Sequence, residues 1–116
     1  VDSGVLSTVQ EPGYKLRHIA VPHVIFQVAL KPLGDVLFRE LRKLPQDASS
    51  KADEAISEIQ SWLQAGDTLY SLDLSSATDV FPFLYQLQVL EMYGIPRKWL
   101  DLYSDVSQGL WKLPPN

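Results

Sequence analysis

Prolines and glycines divide this chain into short apolar segments, and this division constrains the fold more than any other feature. A helix can begin at a proline, whereas an internal proline removes a backbone donor and a glycine often ends the last turn. Apolar residues at helical spacing lie between these breaks. Because 46% of the 116 residues are hydrophobic, the chain has the material for a core. We therefore expect a helix-rich α+β structure.

The first half of the chain predicts two helical regions. Pro22 begins an apolar helix that Pro32 ends or kinks, and helical spacing then resumes over residues 33–44. This pattern fits either one bent helix or two helices in tandem. Residues 50–53, SKAD, have the form of a capping box and begin a further helix that Gly66 closes.

The second half predicts two more helices. Pro82 opens an apolar helix over residues 83–93, which we expect to be buried because it is apolar on most sides. Pro96 opens the last helix, with one stripe formed by Trp99, Tyr103, Val106 and Leu110. The tryptophans are expected in the core or at an interface rather than as base-stacking platforms, namely Trp62, Trp99 and Trp111.

A candidate metal site follows the one strand predicted in this half. Residues 68–73, TLYSLD, alternate as a strand would and end on Asp73, and Asp79 lies six positions further on. Carboxylate oxygens are the ligands that Mg²⁺ prefers. The spacing alone favours a simpler interpretation, in which Asp79 caps the next helix.

Basic residues form two local groups in a chain whose net charge is -4. If residues 13–20, GYKLRHIA, form a strand, alternation directs Lys15 and Arg17 to one side, where both could face a polyanion. An exposed pair at a strand edge is the alternative. The second group is either a template-side patch or, as the residues alone favour, a solvated helix face formed by Arg39, Arg42 and Lys43.

Composition excludes several classes of protein. No cysteine is present, so disulfides, thiolate zinc sites and cysteine nucleophiles are excluded. His18 and His23 could form a metal pair or a general base, but Pro22 separates them and no nucleophile pattern accompanies them. No secretory signal or membrane-length apolar run is visible, and we expect a soluble, intracellular protein. Val1 at the start and the ending after Leu113 indicate a segment of a longer chain.

Residues 73–79, DLSSATD, followed by a proline-bearing helix, closely resemble motif A of RNA-dependent RNA polymerases from mitoviruses, narnaviruses and their relatives. Residues 13–20 resemble the basic motif F of the same enzymes. Residues 27–35 and 44–47 resemble the stretch that joins fingers to palm. The resemblance covers about residues 13–111 and implies that residues 1–116 are one partial fingers and palm segment of the right-hand polymerase fold, including the first palm strand.

The resemblance also implies a chemistry and a set of site residues. Asp73 would be the catalytic acid that binds Mg²⁺ or Mn²⁺, and Asp79 would sense the 2′-hydroxyl of the incoming ribonucleotide. Lys15 and Arg17 would contact the triphosphate. The expected activity is template-directed ribonucleotidyl transfer with two metal ions during viral RNA replication, in the host cytoplasm or mitochondrion. The expected partners are the RNA template, nascent RNA, ribonucleoside triphosphates and the remainder of the polymerase chain.

The sequence also leaves two other interpretations open. No motif B segment and no Gly-Asp-Asp of motif C is present, so the second set of magnesium ligands is missing and these residues alone should be inactive. The chain departs from the family pattern at Gly34, Ala48 and Val80. A decayed, host-integrated viral relic and a helical interaction module are therefore the alternatives.

Overall fold

The computed structural model describes residues 1–114, and the end of the chain at Pro115 and Asn116 lies outside the described residues. Strands and helices are mixed, which confirms the α+β class. Two compact units are present: residues 1–33 with residues 82–114 form one, and Gly34–Phe81 forms the other. None of the described helices combines the length and hydropathy needed to cross a bilayer.

The sheet contains one strand that was predicted and two that were not. β1 (Gly4–Glu11) pairs antiparallel with β2 (Lys15–Pro22), and β3 (Trp111–Lys112) pairs parallel with the other edge of β1. The hairpin turn contains Gly13 and Tyr14, both with positive φ. Gly13 accepts this conformation without the steric penalty of a side chain.

A small residue is required where β1 meets β3. A Cβ atom on Gly4 would collide with the Val21 carbonyl oxygen and with the Trp111 ring. Ser3, just before the strand, is buried and forms backbone hydrogen bonds with two other segments of the same unit. Its N–H donates to the Leu110 carbonyl at 2.7 Å, and its own carbonyl accepts the His23 N–H at 2.8 Å.

α1 (Val24–Leu41) is a single helix with Pro32 in its interior, so of the two predicted alternatives the single helix is present and the tandem pair is not. The proline removes only its own hydrogen bond, and apolar spacing on both sides supports continuation. His23 starts the helix: its carbonyl accepts the N–H groups of Phe26 and Gln27, and its Nδ1 accepts the Ile25 N–H at 3.3 Å.

α2 (Ala52–Gln64) confirms the predicted helix, but its capping box is wrong. Lys51 is the residue before the first turn, and no side chain caps it. The helix ends as predicted at Gly66, whose φ is +85°. The Gly66 N–H donates to Leu63 and the Asp67 N–H to Trp62, the hydrogen-bond pattern of a Schellman motif.

The strand predicted over residues 68–73 is absent, because residues 67–74 have no regular secondary structure. A strand needs a neighbour to satisfy its backbone donors and acceptors, and none of the described strands pairs with this segment. Both edges of β1 are already occupied. Alternation in a sequence predicts the two faces of a strand but cannot provide its partner.

α3 (Ala77–Val80) is a single short turn, and α4 (Phe83–Met92) begins one residue after Pro82. We expected α4 to be buried, and this is wrong: none of its residues is buried, and Leu84 and Met92 are 70% and 86% exposed. Its all-round apolar character needs cover on several sides, and within the described residues it packs chiefly against one neighbour.

That neighbour is α5 (Arg97–Ser107), which carries the best-packed residues of its unit. Leu100 and Val106 are buried, together with Leu33. Tyr103 contacts Phe83 with ring centroids 5.5 Å apart and donates its hydroxyl to Gln86 at 3.0 Å. The predicted stripe shortens at its end, because the helix stops at Ser107, before Leu110.

Candidate active site

Asp73 lies in the irregular segment before α3, and its side chain is exposed. Within residues 1–114 its carboxylate has no hydrogen-bond or ion-pair partner. An exposed carboxylate without partners is available to an incoming cation or nucleotide. It offers the hard oxygen donor that Mg²⁺ and Mn²⁺ accept.

Asp79 lies in α3, two residues after the start of that turn. Its backbone N–H donates to the Ser76 carbonyl at 3.0 Å, and its side chain is exposed and unpaired within the described part of the chain. The cap interpretation of Asp79 is wrong, since Pro82 precedes α4 and no side chain caps that helix. The carboxylate is therefore not used by the next helix.

The turn between the two acids is held by its backbone. Ser76 has φ +52°, a left-handed conformation that is uncommon for a residue with a side chain and costs about 1 kcal/mol or more. Its carbonyl accepts the N–H groups of Asp79 and Val80. The hydroxyls of Ser75, Ser76 and Thr78 form no hydrogen bond within residues 1–114, so side chains do not stabilise this turn.

Lys15 and Arg17 lie two residues apart on β2 and so project from the same face, as predicted. They differ in their surroundings. The Arg17 guanidinium is paired with Glu11, with Nε 2.9 Å from Oε1 and Nη2 3.2 Å from Oε2. The Lys15 ammonium has no partner within residues 1–114. Lys15 is thus the immediately available cation of the pair.

The described residues do not assemble a complete set of metal ligands. Across residues 1–114 no group of three or more His, Cys, Asp or Glu side chains is placed to hold a metal ion. Asp73 fits the donor chemistry of the ion but does not complete a ligand set. The histidines make separate local contacts: His18 Nδ1 lies 3.0 Å from Thr8 Oγ1, and His23 caps α1. The histidine metal pair therefore has no structural support.

The candidate residues lie in different parts of the chain. Lys15 and Arg17 belong to the unit that contains the sheet, whereas Asp73 and Asp79 belong to Gly34–Phe81. Neither unit therefore contains both a candidate acid and a candidate base.

The second basic group, for which the sequence left open a template-side patch or a solvated helix face, lies in a pocket. Two other residues of this pocket, Asp35 and Phe38, were not predicted as part of a site. The side chains that follow one another along the last two turns of α1 and just beyond line an open pocket, formed by Asp35, Phe38, Arg39, Arg42 and Lys43. Its positions i, i+3, i+4, i+7 and i+8 are the helical stripe that could have identified it from the sequence. Lys43 Nζ lies 2.8 Å from Glu40 Oε1, and this lysine lowers the pKa of the Glu40 carboxyl.

The comparisons with known proteins agree with the resemblance described above. The family of mitovirus RNA-dependent RNA polymerases matches residues 1–103. An RNA-directed RNA polymerase from Cryphonectria parasitica mitovirus 1 is 28% identical over 90 residues, which is 77% of this chain and 11% of that protein. No solved structure matches the chain significantly. Since the family match extends over most of the sequence, the chain belongs to the mitovirus RNA-dependent RNA polymerase family.

Proposed function

We propose that the protein carrying this chain is an RNA-directed RNA polymerase that adds ribonucleotides to the 3′ end of a growing RNA on an RNA template. The observation that carries the proposal is the pair of exposed, unpaired carboxylates, Asp73 and Asp79, on either side of a left-handed turn in a chain of the polymerase family. The relative from Cryphonectria parasitica mitovirus 1 is itself named an RNA-directed RNA polymerase.

Each site residue has a separate proposed role. Asp73 would hold a divalent cation, Mg²⁺ or Mn²⁺, which neutralises phosphate charge and aligns the reacting oxygens when bound. Asp79 would accept a hydrogen bond from the ribose 2′-hydroxyl. Lys15 would neutralise triphosphate charge directly, whereas Arg17 would first have to exchange its contact with Glu11. These roles do not require any of the four side chains to be buried.

The chain contributes a segment rather than a whole catalytic domain, because it spans 11% of the length of the mitovirus polymerase that it matches. We propose that it forms part of the junction between fingers and palm in a right-hand polymerase. The exposed apolar side chains of α4 would pack against further parts of the polymerase.

The test is primer extension by the full-length protein with an RNA template, ribonucleoside triphosphates and Mg²⁺ or Mn²⁺. We expect elongation that depends on the template and stops when the divalent cation is chelated. A full-length, folded protein that never extends a primer under these conditions would refute the proposal and favour the helical interaction module or the decayed viral relic. We propose that replication takes place in the host cytoplasm or mitochondrion.

A further inference from the structure

The pocket at the end of α1 combines cations with an aromatic ring. Asp35, Phe38 and Arg39 lie on one face of α1, and Arg42 and Lys43 follow in the turn just after the helix ends at Leu41. All belong to the same unit, Gly34–Phe81. The basic residues of the pocket are concentrated within five positions of a chain whose net charge is -4.

The charges in this pocket are not used equally by the protein itself. Glu40 binds Lys43 at 2.8 Å and lies 3.9 Å from Arg39. Arg42 forms no ion pair within residues 1–114, and its charge contributes to lowering the pKa of the Asp47 carboxyl after the hydrogen bonds from Ser49. Three cations beside the two carboxylates of Glu40 and Asp35 leave a net charge of about +1 on this face, and Arg42 is the guanidinium best placed to bind an added anion. A guanidinium can bind a phosphate through two parallel hydrogen bonds.

The aromatic residue of the pocket is exposed. Phe38 is 59% exposed, although it lies on a helix whose buried residue, Leu33, is only 7% exposed. A single exposed aromatic residue is ordinary in a folded protein. An exposed ring flanked by Arg39 and Arg42 is the combination that binds single-stranded nucleic acid, because bases stack on the ring while cations follow the phosphates.

We propose that this α1 pocket binds one nucleotide of single-stranded RNA, with Arg42 and Arg39 on the phosphate and Phe38 under the base. The inference rests on the proposed function, since it assigns a place for the RNA outside the candidate active site. Because the pocket offers an aromatic ring beside guanidinium groups, it suits a nucleotide better than a simple anion.

The experiment measures binding of the full-length protein to a short fluorescent single-stranded RNA by anisotropy, over a range of salt concentrations. Chelator is present and nucleotides are absent, so no catalysis is required. The variants are Arg42→Gln and Phe38→Leu, and Lys98→Gln removes one charge from α5 as the matched control. Circular dichroism confirms that each variant keeps its helices.

We expect the two variants to weaken binding in different ways. Arg42→Gln should reduce the slope of log affinity against log salt by about 0.7, the value of one phosphate contact on a single strand. Phe38→Leu should weaken binding about fivefold or more at every salt concentration without changing the slope, because stacking is not a charge interaction. Lys98→Gln should leave both quantities near those of the wild type.

Two results would overturn the inference. If Arg42→Gln behaves like Lys98→Gln, the pocket does not bind phosphate. If Arg42→Gln lowers the slope but Phe38→Leu has no effect, the surface is a general anion patch for acidic proteins or other polyanions. The binding measurement and the primer-extension assay are independent of each other. A failure of one therefore does not decide the outcome of the other.

Discussion

Asp79 lies in a turn that is held by backbone hydrogen bonds and not by side-chain contacts. Ser76 adopts φ +52°, and its carbonyl accepts two N–H groups from α3, so the position of the Asp79 backbone is set locally. The Asp79 carboxylate has no partner within residues 1–114. A fixed backbone with a free acceptor is the arrangement needed to bind a substrate hydroxyl.

The Asp79→Ala variant of the full-length polymerase should therefore lose preference for ribose. If Asp79 accepts a hydrogen bond from the 2′-hydroxyl, its loss removes about 1–3 kcal/mol of discrimination. The preference for a ribonucleotide should fall by roughly one to two powers of ten, at about 1.4 kcal/mol per tenfold change. The measurement is the ratio of incorporation efficiencies for a matched ribonucleotide and deoxyribonucleotide. An equal loss for both substrates would show that Asp79 has a general structural or metal-site role.

Asp47 provides a prediction about pH. The Ser49 hydroxyl donates to Asp47 Oδ1 at 2.6 Å and the Ser49 N–H donates to the same oxygen at 3.1 Å, and these bonds lower the pKa of the Asp47 carboxyl from its ordinary value. Because the folded pKa is lower than the unfolded one, the turn is stabilised above the unfolded pKa. This stabilisation is lost as pH falls through the folded pKa.

The Ser49→Ala variant should raise the pKa of Asp47 towards its ordinary value, since the hydroxyl donor is removed. The pKa is measured by following the Asp47 carboxyl carbon by NMR between pH 2 and pH 7, with Ser104→Ala as a control serine far along the sequence. An Asp47 pKa that does not change in Ser49→Ala would show that the Ser49 hydroxyl does not donate to Asp47 in solution.

The candidate site could be predicted from the sequence only in part. The placement of Lys15 and Arg17 on one face followed from alternation in a strand, because that periodicity is a local property. The pairing of Arg17 with Glu11 depends on the hairpin register, which sets Glu11 opposite Lys15, two residues before Arg17. From the sequence alone, this ion pair could not be favoured over the alternative in which Lys15 and Arg17 are simply exposed at a strand edge.

At the level of the elements, local signals predicted helices well and strands poorly. The glycine end of α2 and the proline start of α5 depend on a few neighbouring residues, and both are confirmed. β1 and β3 were not predicted, because pairing between them joins residues more than a hundred positions apart. The strand over residues 68–73 was predicted from alternation alone and has no partner in the described chain.

Two glycines give a matched test of the helix ends. Neither Gly66 nor Gly34 has an atom within 4 Å of the place where a Cβ would lie, but only Gly66 has a positive φ, +85°. Gly66→Ala should destabilise the chain by about 1 kcal/mol, because an alanine is strained in the left-handed region. Gly34→Ala, inside α1, should stabilise it by about 0.5–1 kcal/mol through higher helix propensity.

The two glycine variants are compared by urea unfolding followed by far-UV circular dichroism. Opposite signs for the two changes in the free energy of unfolding support the helix ends described above. If both variants are destabilised equally, the Schellman end of α2 is not the cause of the Gly66 effect.

At the level of the whole molecule, the distribution of buried side chains is the main structural clue. The buried hydrophobic residues among residues 1–114 are Leu33, Leu100 and Val106, and all belong to one unit. No described residue of Gly34–Phe81 is buried, although this segment contains Asp73 and Asp79. Stability of a small protein depends on a buried apolar core. We therefore expect the site segment to gain its support from the rest of a longer polymerase.

The isolated 116-residue chain should for the same reason show no nucleotide incorporation and only weak Mg²⁺ binding. Mg²⁺ retains several waters and is usually bound through one or two carboxylates together with substrate phosphates. Isothermal titration calorimetry with MgCl₂ and primer extension on the same sample check both points. Robust incorporation by this chain alone would mean that the remaining polymerase motifs are dispensable.

We propose that Asp73 binds the catalytic cation of an RNA polymerase. Primer extension by the full-length Asp73→Asn variant tests this most directly, with Asp67→Asn as the control. Both changes remove one exposed negative charge at nearly constant shape from the same irregular segment. We predict that Asp73→Asn abolishes nucleotide incorporation while the protein remains folded, and that Asp67→Asn extends the primer at nearly the wild-type rate. Extension by a well-folded Asp73→Asn protein at the wild-type rate would contradict the account.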